Sequence, residues 1–244
     1  MSAWANATSR MHPALSNQQA LALIQEAQSA QNLLRDALEA IRTIRFPILH
    51  TDAVFTLGSI GVEKTMKLLL GCAEVERTGQ WPSKSTLVAW GHDIDGLADR
   101  LVGTAHDGAS GATAAGYART LLSRIESSAT LPLLFATLSR YGRSGRFHYL
   151  DILATDRPGA FDSPLDHWRR LETHIGQTEA SLRGPIPGDE DELEALLARL
   201  NDTIAVELEV WWFAVHRLGV QGCFGELGRN VGWALWDPAR SAPI

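Results

Sequence analysis

Cysteine is nearly absent: Cys72 and Cys223 are the only two in 244 residues. Neither belongs to a CxxC or a Cys/His spacing, so the sequence offers no zinc site and no disulfide framework. Lysine is scarcer still relative to its partner cation, with 3 Lys against 19 Arg. Arginine is the better fork for phosphate, although a biased genome composition produces the same skew. Long hydrophobic runs are missing. The opening "MSAWANATSRMHPALS" has no apolar stretch of signal-peptide length, and no window approaches an uninterrupted membrane span. A cytoplasmic protein without a membrane partner is therefore expected. Convincing strand alternation and a solenoid repeat are also absent. The net charge of −6 and a pI near 5.7 exclude broad non-specific binding to nucleic acid, which needs many phosphate-neutralising cations.

What is present fits a soluble all-α chain, with 45% hydrophobic and 20% charged residues. "SNQQ" at 16–19 reads as a capping box. Leu23, Ala27, Ala30, Leu34, Ala37, Ile41 and Ile44 then alternate spacings of four and three, the seam of an antiparallel helical bundle, until Pro47 ends it. A more uniformly apolar second helix is expected over 52–78, and a third over "STLVAWGHDIDGLADRLV", divided near Gly91. "GTAHDGASG" reads as a flexible loop. Helices over "ATAAGYARTLLSRIESS" and from Pro132 to about Tyr141 follow, then a linker at 154–163 and an amphipathic helix after it. The last long helix carries Leu193, Leu197, Leu200, Ile204, Leu208 and Trp211 on one face, with His216 and Arg217 expected at its end, where cations suit the dipole. The expected organisation is an N-terminal arm over 1–15, a bundle over 16–153, and a C-terminal helical extension over 164–244 packing on the bundle.

Few residues carry chemistry. Glu63 and Lys67 are an acid-before-base pair one helical turn apart, which by itself stabilises an exposed helix. His92 and Asp93 precede an apolar helical pattern, so either caps that helix or serves a site. The stretch "LSRYGRSGRFHYL" places Arg140, Arg143 and Arg146 three apart, with His148 two residues on. Two readings fit it. One is an anion site, since Arg offers bidentate donors to a phosphoryl oxygen and His titrates near neutrality. The other is a basic helix exit followed by an extended "RFHYLDIL", with Arg140 paired to a surface acid and Phe147 and Tyr149 in the core. Gly222, Gly225 and Gly228 follow no strand, so they mark close helix packing rather than a dinucleotide fingerprint. Trp211, Trp212, Trp233 and Trp236 fall at helical spacing and are expected in the core, the alternative being a stacking or contact surface.

The part from about 20 to 150 resembles the HEPN superfamily (higher eukaryotes and prokaryotes nucleotide-binding) of antiparallel helical bundles. "GSIGVEKTMKLLL", with Glu63, Lys64 and Lys67, is similar to its second helix, "WGHDIDGLADRL", with His92, Asp93, Ile94 and Leu97, to its His-Asp/Asn-Leu pattern followed by an apolar residue three later, and "LSRYG" to the end of a later helix. The resemblance implies a metal-independent endoribonuclease of toxin or phage-defence type, without cofactor or metal. Its implied catalytic pair is an Arg and a His four to six residues apart: here Arg143 and His148, with Arg140 and Arg146 holding phosphate and Glu63, Lys67, His92 and Asp93 as secondary candidates. Arg45–His50, Arg100–His106 and Arg169–His174 share the spacing. The implied partners are RNA or a nucleotide, a second copy in a homodimer, and an antitoxin or defence protein. A non-catalytic helical module binding a nucleotide, a nucleic-acid phosphate or a protein is the alternative.

Overall fold

Ser16 opens the first helix as its sequence requires. Its hydroxyl accepts from the Gln19 amide at 3.2 Å while the Gln19 side chain accepts from the Ser16 amide at 2.9 Å. Ser16→Ala is expected to cost about 1 kcal/mol in urea unfolding, the usual worth of such a cap. The computed structural model describes residues 12–45, 47–184 and 187–243. Most of the expected arm over 1–15 lies outside them. Helix α1 (Asn17–Arg42) buries Leu23, Ala27, Ala30, Leu34, Ala37 and Ile41 along the expected seam.

Helix α2 (Pro47–Thr78) begins earlier than expected, because Pro47 sits at the first helical position, where its missing N–H costs nothing. The short α1–α2 connection makes the pair antiparallel. α3 (Lys84–Trp90) and α4 (Ile94–Ala109) divide at Gly91 as expected. The segment from Gly103 onward is helix rather than flexible loop. Leu97, Leu101, Ala105 and Ala109, each four residues on from the last, are buried and hold it to the bundle. α5 (Ala115–Glu126) and α6 (Leu131–Arg143) follow. Next come a 3₁₀ turn (Gly145–Phe147), α7 (His148–Thr155), α8 (Pro164–Thr178), α9 (Glu190–Gln221) and α10 (Gly225–Ala234). No strand occurs among the described residues, and the fold is all-α.

One continuous apolar core draws on α1, α2, α4, α5, α6, α8, α9 and α10. α9 lies against α1, α5 and α10, and α10 against α2, so the C-terminal helices complete the core of the earlier ones. Trp211, Trp212 and Trp236 are buried as expected, and the Trp212 indole donates to the Leu235 carbonyl at 2.6 Å. Trp233 is exposed.

Three expectations are corrected. "RFHYLDIL" is not extended: it forms the 3₁₀ turn and α7, and Phe147 and Tyr149 are exposed rather than core. Among the described residues Arg140 meets no acid. Its guanidinium lies over the Phe161 ring at 4.8 Å and donates to Ser144 at 3.3 Å. His216 and Arg217 do not end α9, which runs on to Gln221. His216 is only 4% exposed, packs near-parallel to Trp236, and hydrogen-bonds the Gly232 carbonyl through Nδ1 at 2.8 Å. Burial pushes its pKa down to about 4, so it is a neutral core residue.

Candidate functional site

The polar cluster nearest the expected arginine corner is assembled by three elements. α2 projects Glu63 and Lys67 from one face, a turn apart. Both side chains are largely buried, 15% and 20% exposed, so this is no ordinary surface pair. Lys67 Nζ donates to Glu63 Oε1 at 2.8 Å and to the Gly91 carbonyl at 2.6 Å. It thereby satisfies a carbonyl at the C-terminus of α3, where a cation is favoured. Gly91 adopts φ +58° and ψ −149°, a conformation open to glycine, and reverses the chain after α3.

That reversal brings His92 back over α2. Its Nδ1 lies 2.9 Å from Glu63 Oε2, so the two oxygens of one carboxylate are divided between Lys67 and His92. An ionised Glu63 can only accept, which makes Nδ1 the protonated nitrogen and leaves Nε2 as the nitrogen available to a ligand. The His92 side chain is 58% exposed and meets solvent. Asp93 takes the N-cap of α4, accepting from the Gly96 amide at 3.4 Å. This is the capping role its position suggests.

α6 supplies the cation. Tyr141 anchors its end to α2 through a 2.7 Å hydroxyl contact with Thr56, and Gly142 packs against His92. The next residue, Arg143, has its Nη1 3.5 Å from Asp93 Oδ1. His92, Asp93 and Arg143 line one open cleft of about 250 Å³, together with Trp90, Gly91, Gly96, Leu97 and Arg100. Arg100 lies 6.0 Å over the Trp90 ring. The cleft thus presents one imidazole nitrogen, two guanidinium groups and an indole face within a small volume.

The remaining expected site residues go elsewhere. His148 opens α7 with its ring against Gly159 and edge-on to Tyr149. Arg146 reaches the Gly142 carbonyl at 3.4 Å, and Arg140 stacks on Phe161. The three arginines fan apart, and no contact among the described residues joins Arg143 to His148. Instead, Arg143 shares its cleft with His92 and Asp93, and through His92 with Glu63 and Lys67. Trp90 was not singled out from sequence, and Arg100 was named only for its spacing to His106. The usable signal was the unbroken run Trp90-Gly91-His92-Asp93, with Arg100 two helical turns beyond. Among the described residues, no three His, Cys, Asp or Glu side chains group as a metal site. No protein-family model, curated protein or solved structure matches the chain.

Proposed function

We propose that the chain is a metal-independent endoribonuclease of toxin or phage-defence type, with its chemistry in the cleft of His92 and Arg143. The observation that carries this reading is the hydrogen bond from His92 to Glu63 beside Arg143 in one exposed cleft. A carboxylate-oriented imidazole is a general base, and a guanidinium is a fixed donor to a phosphoryl oxygen. His92 Nε2 takes the proton of an RNA 2′-hydroxyl, and the 2′-oxygen attacks phosphorus. The bond to the 5′-oxygen breaks, leaving a 2′,3′-cyclic phosphate and a 5′-hydroxyl that draws its proton from solvent. Arg143 and Arg100 hold the charge that grows on the phosphoryl oxygens, and Trp90 offers a face for a base to stack on. Glu63 keeps Nδ1 protonated and stabilises the imidazolium. Lys67 holds Glu63 in place.

One observation favours the second reading, a module that holds a nucleotide or nucleic-acid phosphate without cutting. Arg143 already has a carboxylate partner in Asp93, so an anion must compete for it. Incubation of the purified protein with RNA in a chelating buffer separates the two. Cleavage by the wild type is expected to fall about a hundred-fold or more in His92→Ala and in Arg143→Ala, and to persist in His148→Ala. Equal cleavage by all four proteins removes the nuclease reading. Retarded RNA mobility without cleavage, lost in Arg143→Ala alone, selects the binding module.

A further inference from the structure

Five large apolar side chains stand in the open between residues 147 and 161. Leu153 is 79% exposed, and Phe147, Tyr149, Leu150 and Phe161 are each more than half exposed. They lie on or beside α7, which buries no residue of its own and has the preceding 3₁₀ turn as its main neighbour. A free helix of eight residues is not stable in water, and a monomer seldom gathers this much apolar surface in one place. At 100° per residue, Tyr149, Leu150 and Leu153 share one arc of α7, while Asp151 points away from it. Arg140, Arg146 and Arg157 flank the patch, and among the described residues none of them meets a carboxylate.

A second under-packed segment has the opposite character. Asp189, Glu190, Asp191, Glu192 and Glu194 at the start of α9 are all exposed, and none forms an ion pair among the described residues. Leu193, Leu196, Leu197 and Leu200 beside them remain only half-buried, and the first fully buried residue of α9 is Asn201. Within one chain α9 packs mainly against α10, α5 and α1, with lesser contacts to α8, α6 and the 3₁₀ turn Ala180–Leu182, and α7 packs mainly against its own preceding turn.

We propose that α7 and its flanking arginines dock on the acidic first three turns of α9 from a second copy of this chain. The apolar arc covers the half-buried leucines, and the arginines reach carboxylates that form no ion pair among the described residues of their own chain. The area is adequate. Five side chains more than half exposed offer roughly 600 Å². The arginine rim brings this toward the ~800 Å² per partner of a standard stable interface. Because the two faces differ, a two-fold arrangement closes a dimer with two such contacts, and any other arrangement continues head to tail.

Sedimentation velocity of the full chain tests this. Association that rises with concentration at low salt and weakens at high salt is expected. Leu153→Asp abolishes it. Arg146→Glu with Arg157→Glu weakens it about ten-fold, Glu190→Arg with Glu192→Arg does the same, and the four changes combined restore it. A monomer at every concentration in low salt overturns the proposal. So does association that survives Leu153→Asp, or charge reversal on one face that reversal on the other fails to rescue. Far-ultraviolet circular dichroism checks each variant's fold, and Leu150→Asp replaces Leu153→Asp if the latter unfolds.

Discussion

A methyl group on Gly108 is expected to destabilise the fold by about 3 kcal/mol, while the same change at Gly103 in the same helix stabilises it by about 0.5–1 kcal/mol. At Gly108 a Cβ would stand 2.1 Å from the Cys223 carbonyl oxygen and 2.8 Å from its carbon. Both obstacles are backbone, so no rotamer change relieves them. The obstructing turn is itself pinned. Cys223 N donates to the Leu218 carbonyl at 3.1 Å, and Gln221 accepts from Thr113 N through its carbonyl and from Ala114 N through its side chain, each at 2.9 Å. Accommodating one methyl therefore means parting α4 from the α9–α10 turn. Gly103 has nothing within 4 Å of its Cβ position, so alanine there only removes backbone freedom from the unfolded chain. Urea unfolding of both variants checks the pair. Equal effects would show that α4 does not approach the turn this closely.

The same glycine shows where the sequence is legible and where it is not. Glycines at 103, 108 and 111 read locally as a loop, because glycine weakens a helix wherever nothing compensates. The compensation lies at Cys223, more than a hundred residues away, and no local pattern reveals it. Pro47 misled for a related reason: a proline that ends one helix also suits the first position of the next. The apolar seam of α1, and that of α9 from Ile204 onward, were legible because spacing alone selects the buried face. α7 was not, since its apolar residues suggest burial whereas no described element packs over them.

The residues that meet at the candidate cleft were named from sequence but differently grouped. Glu63, Lys67, His92, Asp93 and Arg143 were all chosen from sequence, but Arg143 was coupled to His148 because they are near in the chain. Gly142 and Gly145 bracket a break at which α6 stops, so proximity in sequence does not carry Arg143 and His148 into one site. The positive-φ turn at Gly91 does the opposite, folding His92 onto a carboxylate 29 positions earlier. Such pairings depend on how α2, α4 and α6 stack, which spacing rules within one helix do not encode.

His216 should make the protein lose about 3 kcal/mol of stability as the pH falls from about 6.5 to about 4. In the unfolded chain its imidazole titrates near 6.5. In the fold, burial among Phe213, Trp233 and Trp236 pushes the pKa down to about 4, and the neighbouring Arg217 charge acts in the same direction. Between those two values the unfolded state binds the proton and the folded state does not, so acid favours unfolding. Above the upper value both states are neutral and the contribution is complete; below the lower one both are charged and no more is lost. His216→Phe preserves a ring against Trp236 but has nothing to titrate. The Gly232 carbonyl that loses its imidazole donor still accepts from Leu235 N at 3.1 Å. Glu209, held below its ordinary range by the hydrogen bonds and charges of Arg240 and Arg42 despite the opposing effect of burial, loses its contribution only in stronger acid. The difference between wild type and His216→Phe in urea unfolding isolates the imidazole. That difference should shift by about 3 kcal/mol in favour of the variant between pH 7 and pH 4. Parallel stability curves would mean that the ring reaches water and takes its proton in the folded state as readily as in the unfolded one.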